Sequence, residues 1–321
     1  MPAKDDLNLA TDCWFLTGPT AAGKTLAGLE LAERIGAEII SLDSMSIYRD
    51  MDLGTAKPTE QQQARLPHHL IDIVNPDQEY SLAEYVNAAH QAAADIHRRG
   101  KRVLFVGGTS LYLKSLLRGL YSGPPADWEF RNQVAAEVAE VGSAALHQRL
   151  QQVDPLAAAK LHPHDQRRII RALEVYKATG QPLSHRQTHF DEGRPAEQCR
   201  VFALQWPRAD LHKRIESRVE QMFQRRLIDE AQGLLRKYQS LSRTALQAVG
   251  YREAFAHVQD DAPLDATIEK VKVRTRRFAR RQETWLRSLS ECRPIKMDAE
   301  KQPTDLACEI VENSTRNESR T

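Results

Sequence analysis

Gly18-Pro19-Thr20-Ala21-Ala22-Gly23-Lys24-Thr25 fits the pattern G-x-x-x-x-G-K-[ST], a loop that cradles phosphate. Before it, the apolar run Trp14-Phe15-Leu16 reads as a strand; after it, Leu26, Leu29, Ala32 and Ile35 recur at helical spacing. That strand–loop–helix context gives the motif its meaning. The glycines let the backbone curl until its N–H groups converge on phosphate oxygens, and the helix N-terminus adds partial positive charge. Lys24 then serves as a point charge and the Thr25 hydroxyl as a ligand to Mg²⁺.

Outward from the loop, strand and helix alternate to about residue 120. Further strands are expected at Glu38–Leu42, Leu70–Val74 and Arg102–Val106, with a helix over Ser81–Arg99. This alternation predicts an α/β fold: a doubly wound parallel sheet with helices on both faces. Gly119, Gly123, Pro124 and Pro125 mark a turn-rich break, and the chain beyond it is helical and polar to about Pro195. Arg200–Trp206 reads as a strand returning to the sheet, and Asp210 as the acid capping a long helix. The expected division is 1–121 for the first part of the core, 122–199 for a helical insertion, 200–300 for the return and C-terminal helices, and 301–321 for a loose polar tail.

The 321 residues are 41% hydrophobic and 27% charged, which is ordinary for a globular protein. No apolar stretch approaches the roughly 18 residues of a membrane span. Met1 to Asp12 lacks the basic and apolar regions of a signal peptide. Cys13, Cys199, Cys292 and Cys308 are scattered, which excludes a C-x-x-C zinc site and suits a reducing cytoplasm.

Three stretches carry chemistry. Asp43 follows the strand Ile39-Ile40-Ser41-Leu42, and carboxyl ends of strands line the ligand crevice of such a sheet. A carboxylate there can hold Mg²⁺ through water, accept a proton, or cap the next turn. Gly107-Gly108-Thr109 ends another strand, where Thr109 either offers its hydroxyl to the crevice or caps the following helix. That strand ends without the acid that NTP-hydrolysing enzymes place there for Mg²⁺, although Asp43 or Asp72 could substitute. The absence weakens a motor or GTPase reading.

Basic residues cluster twice. Arg167 and Arg171 share a helix face, and Lys272–Arg287 carries seven lysines and arginines against Glu283 alone. Val271, Phe278 and Trp285 recur every seven residues there, with Thr275 and Leu289, so one side packs while Arg277, Arg280 and Arg281 face outward. Solvated faces mix signs; this one hardly does, and a polyanion such as nucleic acid becomes the expected partner.

Together with the loop, Asp43-Ser44, the run Tyr48 to Pro58, Pro67 to Asp72, Val106 to Tyr112, Asp165 to Arg168, Arg171 to Tyr176, Thr179-Gly180 and Ala248 to Glu253 resemble the bacterial tRNA dimethylallyltransferase (tRNA isopentenyltransferase) family from about residue 13 to about 290. The resemblance implies transfer of a dimethylallyl group from dimethylallyl diphosphate to N6 of the adenine 3′ of a tRNA anticodon, with Mg²⁺ required. It makes Gly18, Pro19, Thr20, Ala21, Ala22, Gly23, Lys24 and Thr25 the cradle of a diphosphate leaving group. Asp43 becomes the general base, Thr109 a positioning hydroxyl, and Lys24 with Arg218 the cations facing the developing charge.

In similar enzymes the segments matching Asp43, Ser44, Met45 and Ser46 touch tRNA. So do those matching Arg167, Arg168, Ile169, Ile170 and Arg171; those matching Ala248, Val249, Gly250, Tyr251, Arg252 and Glu253; and those matching Thr109 and Arg131. The expected RNA element is the anticodon stem-loop, its adenine drawn from the stack. A cytoplasmic monomer is the expected form. Competing readings are a small-molecule kinase, which needs a nucleoside lid, and an isopentenyltransferase for free adenine nucleotides, which needs no arginine faces. A non-catalytic RNA-binding protein is the third, and it has no use for Asp43 and Thr109 beside the loop.

Overall fold

The computed structural model describes residues 7–120, 123–186, 192–260 and 262–318. The chain divides into two units, one of residues up to Leu117 and from Gly193, the other Arg118–Glu192. The first unit begins α1 (Leu9–Asp12), β1 (Trp14–Thr17), α2 (Lys24–Ile35), β2 (Ala37–Leu42), α3 (Glu60–Arg65), β3 (His68–His69), α4 (Leu82–Arg98), β4 (Arg102–Gly107) and α5 (Ser110–Arg118). The second holds α6 (Trp128–Val141), α7 (Ser143–Val153), α8 (Pro155–Lys160), α9 (Gln166–Thr179) and α10 (Leu183–Arg186). The first then resumes with β5 (Arg200–Gln205), α11 (Arg208–Gln224), α12 (Leu227–Lys237), α13 (Tyr251–Asp260), α14 (Leu264–Arg287), β6 (Cys292–Lys296) and α15 (Pro303–Glu318).

All six strands run parallel in the order β3-β2-β4-β1-β5-β6. Parallel strands covered on both faces read as continuous apolar runs, and β1 and β2 are buried throughout. Phe15 and Phe105 stack with centroids 4.7 Å apart across β1 and β4, and each such ring contributes roughly 1.5–3 kcal/mol by leaving water. Register sets the layout of the site. Gly107 pairs with Thr17 on one side and Leu42 on the other, so the phosphate loop, Asp43 and Gly108 leave the sheet side by side. A Cβ on Gly107 would lie 2.2 Å from the Leu42 carbonyl oxygen, which explains the glycine at this crossing.

Three sequence expectations are corrected here. The strand expected at Leu70–Val74 is only His68–His69. Leu70 and Asp72 adopt left-handed backbone (φ 60° and 55°), which no strand continues, and Asp72 is tied to the Lys57 ammonium at 2.5 Å. Asp210 lies in the first turn of α11 without capping it, since the cap position is Pro207. The expected tail 301–321 is not wholly polar, and among the described residues it is helical over Pro303–Glu318, while 319–321 lie outside them. Leu306, Ala307 and Ile310 are fully buried on one face of α15, in the same apolar core as α2, and the preceding β6 adds an edge strand. Pro294 fits β6 because an edge strand leaves one row of N–H groups unpaired.

The second unit has its own core of Phe130, Val134, Val138, Leu146, Leu150, Ile169, Ile170 and Leu173. Asp127, Asp154 and Asp165 cap its helices by accepting from Phe130, Ala157 and Arg168 N–H. Its boundaries fall at 118 and 192 instead of 122 and 199. Gly193–Cys199 goes with the sheet because Cys199 is buried ahead of β5 and Arg194 N–H donates to Glu291.

Candidate active site

The loop between β1 and α2 is shaped by positive φ at Gly18 (152°), Ala21 (63°) and Gly23 (92°). Its carbonyls are taken up by side chains. Lys24 Nζ donates to Gly18 O at 3.1 Å and Pro19 O at 2.7 Å, Arg214 Nε to Ala21 O at 2.8 Å, and Trp206 Nε1 to Ala22 O at 3.0 Å. The N–H groups of Ala21, Gly23, Lys24 and Thr25 have no acceptor among the described residues. Four open amides at a helix N-terminus make an anion cradle. Lys24 keeps one of its three donors free for the same anion.

These amides border a cleft of about 720 Å³ that also takes in Asp43, Ser44, Met45, Gly107–Thr109, Arg218, Met222, Val249 and Phe278. Asp43 Oδ1 accepts the Met45 N–H at 2.9 Å, so the carboxylate does cap its own turn, but Oδ2 remains open. Asp72, the other acid considered for Mg²⁺, is engaged with Lys57 and does not line the cleft. Thr109 does not cap α5 with its side chain: Oγ1 accepts the Ser44 N–H at 3.0 Å. Burial, with Arg218 nearby, pushes the Lys24 ammonium down to about 7, and Asp43 opposes that shift. Burial likewise lowers Arg218, again against the pull of Asp43. Burial disfavours both charged forms, and an anion placed beside them would favour those forms.

Of the two arginines on this face of α11, Arg214 is committed to the loop and stacks 4.3 Å over Trp206. Arg218 makes one long bond, 3.4 Å to Thr55 O, and is free to reach an anion. The Thr55 loop is itself fixed. Gly54 N–H donates to the Tyr251 hydroxyl at 3.2 Å, that hydroxyl donates to Glu230, and Glu230 accepts Leu53 N–H at 3.1 Å. Sequence reading missed this bracket, and it missed Gln282, whose amide touches both the loop and Gly108. A glutamine on the packed face of α14 was the available signal.

The RNA-facing expectations divide by burial. Ile169 and Ile170 belong to the core of the second unit, and Ala248, Tyr251 and Glu253 are buried in the first, so these side chains are withdrawn from an RNA surface. Ser46 is buried against Ser41, Oγ to Oγ 2.7 Å. Gly250 is buried too, with φ 96°. Arg131 and Arg171 both bond Glu174. Arg167, Arg168 and Arg252 are exposed. On α14 the buried face is Thr267, Val271, Thr275, Ala279, Gln282 and Leu286; Phe278 instead lines the cleft. Lys272, Arg274 and Arg276 pair with acids, whereas Arg277, Arg280, Arg281 and Arg287 are exposed with no acid in range among the described residues.

For Mg²⁺, no group of three or more His, Cys, Asp or Glu among the described residues could cage a metal ion. The Thr25 hydroxyl lines the cleft with no partner among the described residues, and Asp43 Oδ2 is open beyond it. One hydroxyl and one carboxylate suit a cation that takes its remaining ligands from phosphate and water. The residues fit.

Residues 46–289 match the family described as IPP transferase. A tRNA dimethylallyltransferase of Rhodopirellula baltica is 54% identical over 296 residues, covering 89% of this chain and 88% of that protein. The crystal structure of a full-length tRNA isopentenylpyrophosphate transferase from Bacillus halodurans superposes with TM-score 0.68 at 35% identity, covering 97% of this chain and 99% of that one. A eukaryotic dimethylallyltransferase crystallised acting on tRNA gives TM-score 0.76 at 26% identity, covering 96% and 79%. No described helix is long and apolar enough to cross a membrane. On the strength of the matched family and of this identity across most of both chains, the chain belongs to the IPP transferase family, that of the tRNA dimethylallyltransferases.

Proposed function

We propose that the chain transfers the dimethylallyl group of dimethylallyl diphosphate to N6 of the adenine just 3′ of a tRNA anticodon and releases diphosphate. The observation that carries this reading is the shared cleft: four open loop amides at one end, with Asp43 and Thr109 on the neighbouring strand ends. The loop amides and Lys24 hold the diphosphate, and apolar side chains such as Met222, Val249 and Phe278 offer contact to the hydrocarbon.

In the transfer, the N6 lone pair forms a bond to C1 of the donor while the C1–O bond breaks and its electron pair leaves with diphosphate. Asp43 Oδ2 takes the N6 proton, with Oδ1 held by Met45 N–H so that the carboxylate keeps its direction. Thr109 fixes the turn carrying Asp43 through Ser44. Lys24 and Arg218 meet the charge that grows on the leaving oxygens. Mg²⁺ on the Thr25 hydroxyl would supply further neutralisation of that charge.

The exposed arginines of α14 and Arg167, Arg168 and Arg252 offer phosphate contacts, each within its own unit. They favour a polynucleotide acceptor over a free nucleotide, and a monomer carries every group invoked. The test is one incubation of labelled dimethylallyl diphosphate, Mg²⁺ and unmodified tRNA, followed by nucleoside analysis. Prenylated adenosine is expected; its absence sinks the reading.

A further inference from the structure

Gln282 is a buried amide in the middle of a packed helix face, 6% exposed between Ala279 and Leu286. An amide in such a place destabilises the fold unless its donors and acceptor are met. Both ends are met by main chain from elsewhere in the first unit. Thr20 N–H donates to Oε1 at 2.9 Å, and Nε2 donates to Gly108 O at 2.7 Å. The amide's orientation follows from its partners: an N–H must face the oxygen and a carbonyl must face the nitrogen.

The neighbours are shaped around this side chain. A Cβ on Gly108 would sit 2.6 Å from Gln282 Nε2 and 3.0 Å from Gly18 O, so the second glycine of Gly107-Gly108 leaves room for the amide. Thr20 stands inside the phosphate loop, and Gly108 directly precedes Thr109. One side chain on α14 therefore sets the gap between the diphosphate cradle and the strand end that orients the Asp43 turn. The same helix presents Arg277, Arg280 and Arg281 on its exposed side.

We propose that Gln282 is a positioning residue for the donor site: it holds the phosphate loop in register with the Gly108–Thr109 strand end from within the arginine-bearing helix. The inference rests on the donor reading given under the proposed function. Its signature is a split. Loss of the amide loosens the loop and weakens diphosphate binding, while the exposed arginines and RNA affinity stay as they are, although all lie on one helix.

Gln282→Met keeps the volume of the face and removes both hydrogen bonds. Binding of inorganic diphosphate with Mg²⁺ is expected to weaken about tenfold, from the loss of both hydrogen bonds. The donor KM is expected to rise in step, with the tRNA Kd unchanged within about twofold on the same scale. Gly108→Ala attacks the bridge from the other side, leaving Gln282 in place but displacing its amide, and carries the test if Gln282→Met does not fold. The double variant is expected to be no worse than the weaker single one, since both changes break the same bridge. Equal diphosphate binding by wild type and variants overturns the inference alone, and so does a tRNA affinity that falls in the same proportion. Failure of the wild type to bind diphosphate overturns the donor reading and this inference with it.

Discussion

Thr109 Oγ1 accepts the backbone N–H of Ser44 at 3.0 Å, joining the end of β4 to the turn that carries Asp43. The two residues lie on neighbouring strand ends because Gly107 pairs with Leu42. Their bond explains why a threonine at a helix start does not cap that helix. Thr109→Val removes the acceptor while keeping the shape, whereas Thr109→Ser keeps it. Turnover of Thr109→Val is expected to fall at least tenfold, about the value of one hydrogen bond that orients a reacting group. Thr109→Ser is expected to stay within a few-fold of wild type. Equal rates for the two variants would show that the hydroxyl does nothing.

Asp43→Asn separates the capping use of this side chain from the proton-accepting one. Asparagine Oδ1 can still accept the Met45 N–H, so the turn is preserved. The open Oδ2 position becomes an amide that cannot take a proton. Transfer is expected to fall by the 10²–10⁴-fold, roughly, of a lost general base, with tRNA affinity retained. Single-turnover kinetics beside a tRNA binding isotherm read both quantities, and a wild-type rate would refute the base assignment.

Arg277 and Arg281 stand one helical turn apart on the exposed side of α14, and no described acid pairs with either. Neutralising both to glutamine is expected to weaken tRNA binding. It should also flatten the plot of log K against log salt by about one unit for each phosphate no longer neutralised. Lys272, paired with Glu220 and Glu269, is the internal control, since its charge is already answered. A salt slope that survives the double change would return this face to ordinary solvent.

Much of this arrangement is legible in the residues themselves. Gly18–Thr25 marks its own place between strand and helix, and the apolar runs mark β1, β2, β4 and β5, because the central stretch of a doubly covered strand is mostly apolar. β6 is not legible: Cys292-Arg293-Pro294-Ile295-Lys296 alternates as an edge strand does, and its proline argues against a strand until the edge is known. α15 hides because its buried apolar residues, such as Leu306, Ala307 and Ile310, are few and scattered among polar ones. The long-range bonds hide most completely. Nothing local to Gln282 announces Thr20, 262 positions away, and nothing local to Tyr251 announces Gly54.

Gly54 supplies the fourth test. A Cβ there would lie 2.3 Å from Tyr251 Cε2, inside the bracket that fixes the Thr55 loop. Gly54→Ala is expected to destabilise by about 1–3 kcal/mol through overpacking, and to move the Thr55 carbonyl that Arg218 bonds. A lower melting midpoint with a reduced rate at saturating substrates is the expected pair. A normal rate would show that this loop does not position Arg218.

Glu174 gives the last prediction, on the stability of the second unit. Its carboxylate is almost wholly buried and accepts from Arg131 Nε and Nη2 at 2.8 Å each, from Asp127 N–H at 2.7 Å, and from Arg171. Burial pushes its carboxyl up, but the bonds from Arg131 and Arg171 outweigh that and hold it below the ordinary value of 4.5. The folded unit therefore binds this proton less readily than the unfolded chain does. The resulting stabilisation is complete above the ordinary value and is lost as pH falls through the lowered one. Glu174→Gln keeps the shape and removes the charge. It should cost on the order of 1–3 kcal/mol at neutral pH, because the two arginines are left partly buried without their counter-ion. It should also flatten the acid limb of the unfolding profile below about pH 5. Amide hydrogen exchange in α9, followed from pH 6 to pH 3, reads the second unit separately from the sheet. An acid limb as steep in the variant as in wild type would move the responsible proton to another group.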